Sequence, residues 1–324
     1  MKGTVELTHP AQHHSQSGPL PKILAPGHDA DRGGLLALIS GHHDALKSEL
    51  QQAGGLLFRG WGLKGAHDFE AALDAAQFKE MPYVGGAAPR SAVTGGRIMT
   101  ANESPAHEKI PLHHEMAQTP NPPDYIFFYC NHAPGAGGAT TLLDSRLAFE
   151  TLLRIDPKLV ERLDKEGVRY TRVMPYETDA GSPIGRSWRE TFNVNSRSEA
   201  EIAMRNAKMS WEWLEGQNLK TQSSSTAAIG WDRQRQRRTF FNSVIAAFTG
   251  WYDSRNDGAK AVHFGGGDPL SQTSIDTFLE ATQNLQVNMP WEAGDMLWLD
   301  NRLILHARQP YEGDREVFAA IAQD

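Results

Sequence analysis

The sequence predicts an α+β protein built on a β-sandwich or barrel, with helices gathered outside it. Three observations lead there. Short apolar runs broken by glycine and proline recur from about residue 81 to 145. Three more strand-like runs, "DMLWLDN", "LILHAR" and "EVFAAIAQ", close the chain. Between and before these regions, apolar residues recur at helical spacing in separate blocks. Many short strands with segregated helices are the pattern of an antiparallel core clothed on its faces.

Taken in order, the first twenty residues read as a mobile polar tail, and residues 21–324 as one domain with a helical insert near 146–230. Residues 33–53 are an amphipathic helix, and "GLLFRGW" after it is a buried strand. Residues 66–78 form a second helix with Asp68 as its expected N-terminal cap. "YIFFYCN" (125–131), aromatic and branched, is the clearest strand. Residues 146–166 return to helix, and Pro157 splits them, because proline lacks the amide hydrogen that a helix interior needs. "GVRYTRVM" is a strand and 197–217 is helical. Residues 239–248 read as strand followed by irregular chain, and 274–284 as helix.

Composition narrows the function. The chain of 324 residues, 40% hydrophobic and 22% charged, has the balance of a soluble globular protein able to bury a core. It has no apolar run long enough for a transmembrane helix and no apolar signal core, so neither membrane association nor secretion is expected. A net charge of −7 argues against a nucleic-acid partner. The single cysteine, Cys130, rules out an intramolecular disulfide and a cysteine zinc cluster. It lies in an apolar strand and reads as a buried thiol. A reducing cytoplasm is the default compartment.

The chemistry lies in "LHHEMAQ" (112–118). If this segment is extended, side chains alternate between faces. His113 and Glu115 then point the same way, and His114 points away. A single H-x-E is more often a pair of solvated side chains than a ligand pair. Two ligands also do not make a transition-metal site, and the best third candidate is His306 in "LILHAR". Two histidines and one carboxylate occupy one face of an octahedron and leave the other positions open, the arrangement of non-haem Fe(II).

The company these residues keep is specific. The block "YVGGAAPRSAV…IMTANESP…IPLHHEMAQTPNPPDYIFFYCNHAPGAGGATTLLDSR", then "SWRETFNV", "TFFNS" and "GDMLWLDNRLILHARQPYEGDREV", resembles the taurine dioxygenase and clavaminate synthase-like group of Fe(II)/2-oxoglutarate oxygenases. More narrowly it is similar to the branch of the syringomycin-pathway hydroxylase. The resemblance spans roughly residues 50–320 and implies a double-stranded β-helix (jelly roll) with flanking helices. It also implies Fe(II) as cofactor and 2-oxoglutarate and O₂ as co-substrates. His113, Glu115 and His306 match the iron ligands. Thr140 and Arg315 match the residues on the 2-oxoglutarate carboxylates, a role that suits the charge-assisted fork of a guanidinium.

The implied reaction is oxidation, by hydroxylation first and by desaturation or cyclisation as other outcomes, of an aliphatic C–H of a small molecule. An amino acid or its derivative, free or carrier-tethered, is the class the resemblance implies, in specialised-metabolite biosynthesis. Glu115 stands where halogenating relatives have alanine or glycine, which argues against halogenation. Ala319 stands where some relatives carry a second arginine for an anionic substrate, which argues against taurine. Tyr83, Arg90, Asn102 and Asn242 fall in blocks resembling substrate-pocket walls, although each polar side chain also suits a structural role. Trp188, Phe241 and Trp298 read as core. "RQRQRR" (233–238) reads as a solvated hairpin or sheet edge, with docking of an acidic carrier protein as the second reading. Two alternatives stay open from the residues: a His₂Glu zinc hydrolase, and a non-catalytic binding module on a jelly-roll scaffold.

Overall fold

The computed structural model describes residues 4–15, 18–27, 31–232 and 236–324. Its centre is a double-stranded β-helix of two facing sheets. Among the described residues the larger sheet runs in the order Thr4–Leu7, Lys22–Pro26, Gly55–Phe58, Met296–Asp300, Tyr125–His132, Glu316–Gln323, Ile98–Thr100 and Ala92–Thr94, with Lys79–Glu80 also paired to Glu316–Gln323. The smaller sheet runs Val287–Met289, Thr140–Asp144, Ile304–Arg308 and Ile110–His113, all antiparallel.

The unbroken apolar run over residues 125–130 of the strand Tyr125–His132 follows from burial on both faces. Ile126, Phe128 and Cys130 face the smaller sheet and pack with Leu142, Val287, Met289 and Ile304. Tyr125, Phe127 and Tyr129 face the other way, against the helices Arg32–Ala53 and Gly65–Ala76. The same alternation divides the smaller sheet. Leu143, Leu305 and Ala307 point outward onto the helices Ser145–Ile155, Pro157–Glu166, Val244–Gly250 and Gln272–Thr282. Leu142, Ile304 and His306 point inward. The layers are therefore helix, sheet, sheet, helix.

Pro157 does split the helix: it opens Pro157–Glu166, and Asp156 caps that helix through Leu159 N. Asp68 has a capping role from a different position. The N-cap is Lys64, and Asp68 in the first turn accepts the Lys64 backbone N–H at 2.8 Å. Four expectations are corrected. Within the tail expected over 1–20, Thr4–Leu7 pairs with Lys22–Pro26 and His13–Ser15 pairs with Gly18–Leu20, because backbone hydrogen bonding to a neighbouring strand does not require an apolar side chain. The insert near 146–230 is mixed, since Val168–Met174, Ser210–Trp213 and Leu219–Gln222 form a small sheet with Val262–Phe264. The helix expected over 197–217 ends at Asn206, and Ser210–Trp213 is strand, with Lys208 in the left-handed region between them. Of residues 239–248, expected as strand and then irregular chain, only Thr239 is strand, the end of Arg237–Thr239, and the later part lies in the helix Val244–Gly250, whose apolar side Val244, Ile245, Ala247 and Phe248 is buried. Among the described residues no helix is long and apolar enough to cross a membrane.

Candidate metal centre

His306 lies on an interior strand of the smaller sheet, and its register partner across the ladder is His113, the last residue of Ile110–His113. The two rings stand 4.3 Å apart between centroids. Phe128 reaches across from the larger sheet to within 5.4 Å of the His306 ring, so the site sits between the two sheets. Glu115 completes the group: one ligand atom from each of His113, Glu115 and His306 lies within 4.8 Å of the others.

The strand stops at His113, which corrects the expectation of an extended segment through Glu115. Residues 115–118 form a turn in which Met116 has φ +54°. Glu115 still projects beside His113, because Asn301 holds its backbone. Asn301 Oδ1 accepts from Glu115 N at 2.7 Å, and Asn301 Nδ2 donates to the carbonyls of Glu115 and Pro123. His114 points away as expected and is fully buried. Its Nδ1 donates to the Asn242 carbonyl, which can only accept. Its Nε2 therefore accepts from Ser145 Oγ at 2.6 Å. Both ring nitrogens are spent, so His114 has none left for a metal, and burial pushes its pKa down to about 3.

The donor chemistry suits a cation. His113 Nδ1 donates to the Pro111 carbonyl at 2.9 Å, which leaves Nε2 with its lone pair free. His306 Nδ1 is buried without a partner, and His306 Nε2 stands 3.9 Å from Glu115 Oε2. Burial lowers the pKa of both imidazoles, with further repulsion on His306 from His113, His114 and Arg90. Neutral imidazoles beside a carboxylate are the protonation state a metal requires.

Thr140 and Arg315 line one small cavity, about 40 Å³, with His113 and His306. Thr140 Oγ1 accepts from Trp291 Nε1 at 3.1 Å, so its own hydroxyl hydrogen is available to a carboxylate. Arg315 Nε donates to the Gly138 carbonyl at 3.3 Å. Gly138 has φ +64°, and a Cβ there would meet Pro134 Cγ at 2.7 Å and Arg315 Cδ at 3.2 Å, so the glycine admits the arginine. Among the described residues no carboxylate pairs with Arg315. Burial, then neighbouring Arg308, pushes its pKa down to about 10. Arg308 itself is occupied by the carbonyls of Asn102, Ser104, Pro105 and Glu108, and so ties down that loop.

A larger polar cavity of about 500 Å³ opens beside His113 and Glu115, and Tyr83, Arg90 and Asn102 line it. Arg90 does more than line it: Nη2 donates to Glu115 Oε2 at 2.7 Å, while Nε and Nη1 are buried without partners. The guanidinium groups of Arg90 and Arg186 both stand over the Tyr83 ring, at 4.6 and 4.7 Å from its centre. Asn102 spends Oδ1 on Ser104. Asn242 does not line the cavity, which corrects its expected place there. It is buried and spends both ends of its amide, Nδ2 on Ala228 O and Oδ1 on Val244 N. Ala319 is fully buried between the sheets, as are Trp188 and Trp298 in their own clusters. Phe241 packs against the His114 ring at 4.7 Å. Burial raises the Cys130 thiol pKa to about 12, in keeping with an inert core thiol. Of "RQRQRR", residues 233–235 lie outside the described residues, while Arg237 pairs with Glu150 and Arg238 with Asp164.

Sequence reasoning passed over Asn301, Trp291, Ser145 and Arg186. Asn301 had one visible signal, the polar "DN" that ends the apolar run "MLWL" just before "LILH".

The chain resembles known proteins in sequence and in fold. A family model described as taurine catabolism dioxygenase TauD, TfdA family matches residues 17–321. A clavaminate synthase-like protein of Arabidopsis thaliana is 40% identical over 325 residues, covering 98% of each chain. The dapdiamide synthesis protein DdaC of Enterobacter agglomerans is 27% identical over 289 residues, 86% of this chain and 85% of that one. Among solved structures, a putative α-ketoglutarate-dependent taurine dioxygenase from Burkholderia xenovorans superposes with a TM-score of 0.56 at 14% identity, over 99% of this chain and 90% of the other, a likeness of fold.

Proposed function

The chain belongs to the TauD, TfdA dioxygenase family, and on that premise we propose that His113, Glu115 and His306 hold its ferrous iron while Thr140 and Arg315 receive its 2-oxoglutarate. The protein is an Fe(II)- and 2-oxoglutarate-dependent oxidoreductase acting on a small molecule. The observation that carries the assignment of residues is the meeting of those three ligand atoms within 4.8 Å between the two sheets. Iron with O₂ and 2-oxoglutarate supplies the oxidising power: 2-oxoglutarate loses CO₂ and becomes succinate, one oxygen atom entering succinate and the other the substrate.

The chain supplies geometry. The Pro111 carbonyl fixes the tautomer of His113, and Asn301 fixes the turn that presents Glu115. Arg90 orients the Glu115 carboxylate and is a buried counter-charge to it. Arg315 offers an unpaired guanidinium and Thr140 a free hydroxyl hydrogen, a complementary pair for the carboxylates of a keto-diacid. Phe128 packs edge-on against the His306 ring and makes that side of the site apolar.

The substrate lies in the polar cavity beside His113 and Glu115, whose volume suits a small molecule. The names of the clavaminate synthase-like and dapdiamide-synthesis relatives support an amino acid or amino-acid derivative, oxidised at an aliphatic C–H in a biosynthetic pathway. A hydrolytic zinc centre with the same ligands would leave the unpaired Arg315 unexplained. Anaerobic reconstitution with Fe(II), followed by O₂, 2-oxoglutarate and a panel of amino acids and N-acyl amino acids, tests this reading. Succinate formation stimulated by a panel member and absent in His113→Ala is expected. Wild-type protein that binds neither Fe(II) nor 2-oxoglutarate would end the proposal.

A further inference from the structure

A second cavity of about 410 Å³ adjoins the polar one, and Gln118 and Trp251 line both. Its walls are largely apolar, among them Met174, Phe192 and Met209. Strand alternation puts Tyr170, Arg172 and Met174 on one face of Val168–Met174, and all three line this cavity. Among the described residues Arg172 is the one cation that lines it, and the one carboxylate, Glu80, is exposed. Arg172 is 6% exposed. Its Nη2 donates to the Arg186 carbonyl at 3.2 Å and to Thr191 Oγ1 at 3.0 Å, and its Nε has no partner. Among the described residues no carboxylate forms an ion pair with it. Asp253, whose charge reaches it, is bonded to Arg255 and Ser182. Burial, then Arg186, pushes the Arg172 pKa down to about 10, so the group is still a cation at neutral pH.

A buried cation without a counter-charge is costly, and an arriving anion removes that cost. Arg172 is also tied to the oxidation site. It bonds the Arg186 backbone, and Arg186 Nη1 donates to the carbonyl of Tyr83, which lines the polar cavity. We propose that the apolar cavity is the second chamber of the substrate site, holding an apolar arm of the substrate whose carboxylate binds Arg172. The ligand class is an aliphatic carboxylate of medium chain length. The inference rests on the polar cavity being the site of oxidation, since a molecule passing Gln118 and Trp251 joins Arg172 to the His113 and Glu115 end.

Calorimetry on protein loaded anaerobically with Fe(II) and 2-oxoglutarate tests it, with octanoate, butanoate and 1-octanol as probes. Bound 2-oxoglutarate keeps the probes off Arg315. The expected result is one octanoate per chain, bound about tenfold more tightly than 1-octanol, the size of one charge-assisted contact, and about a hundredfold more tightly than butanoate, the size of four buried methylenes. Arg172→Gln should bring octanoate down to the level of 1-octanol. Ala207→Trp, which fills the cavity from the segment after the helix Arg197–Asn206, should abolish octanoate binding. Equal affinity of octanoate and 1-octanol for wild-type protein overturns the proposal, and that comparison needs no variant to fold. Unchanged octanoate binding in Ala207→Trp overturns it as well. The visible charge-transfer absorption of the Fe(II)–2-oxoglutarate complex reports on the same samples. Its presence without octanoate binding sinks the second chamber alone, and its absence sinks the iron-site reading.

Discussion

Arg90 Nη2 lies 2.7 Å from Glu115 Oε2, and both side chains are about 95% buried. Burial works against the charge on Arg90, but Glu115 and Tyr83 more than offset it and raise its pKa. The carboxylate assigned to iron is thus already neutralised before any metal arrives.

Removing Arg90 should therefore hurt the metal-free protein more than the metal-loaded one. Arg90→Gln leaves Glu115 buried without its cation, which costs about 3 kcal/mol. A divalent ion restores a counter-charge. Thermal melts with and without Mn(II) should show a larger deficit without it. Equal deficits in both would mean that Arg90 has only a packing role.

Arg315→Met should raise the KM for 2-oxoglutarate by at least about tenfold, the loss expected for a charge-assisted fork. Arg315→Lys should recover only part of it, because an ammonium cannot reproduce the planar pair of donors. An unchanged KM in both variants would remove Arg315 from the co-substrate site.

Asn301→Ala deletes three buried hydrogen bonds that shape the Glu115 turn. A stability loss of about 2–4 kcal/mol in urea is expected, together with weaker Fe(II) binding. Asn301→Asp keeps the acceptor for Glu115 N but sets a buried carboxylate oxygen against both carbonyls, so a loss at least as large as that of Asn301→Ala is expected. Fe(II) affinity that survives in Asn301→Ala would show that the turn holds Glu115 without this clamp.

Burial raises the Asp300 pKa from 3.8 to about 7, only partly countered by the Arg302 N–H and Arg146. Between these two values the unfolded chain ionises while the folded one keeps the proton. Stability from this group therefore falls as pH rises from about 4 to about 7 and is level above that. Asp300→Asn retains the oxygen that accepts from Arg302 N and removes the charge. It should be more stable than wild type at pH 8, with the advantage shrinking towards pH 4. A constant difference across that range in thermal melts would refute the assignment.

The helix pattern, the Pro157 break and the doubly buried strand Tyr125–His132 were all legible in the sequence, because each depends on residue type and local period. In "HHE" the sequence separated His114 from His113, since neighbouring side chains leave a strand on opposite faces, but the place of Glu115 depends on a turn held by Asn301 that alternation does not describe. The strand Ser210–Trp213 and the helix Val244–Gly250 were not legible, because their short patterns fit either period and packing against neighbours chose between them. Asn242 looked like a pocket residue for the same reason: an asparagine in a motif does not declare which backbone groups will claim its amide.

By itself the sequence determined the family, the residues proposed as ligands and the two-faced core strand. These are properties of side-chain chemistry and local spacing. The tertiary structure decided that residue 306 falls directly across the ladder from residue 113, that Arg90 pairs with Glu115, and that Arg172 is buried beside a second cavity with no ion-pair partner among the described residues. Such facts depend on strand register and on which distant groups share a buried space, and no local stretch of chain encodes either.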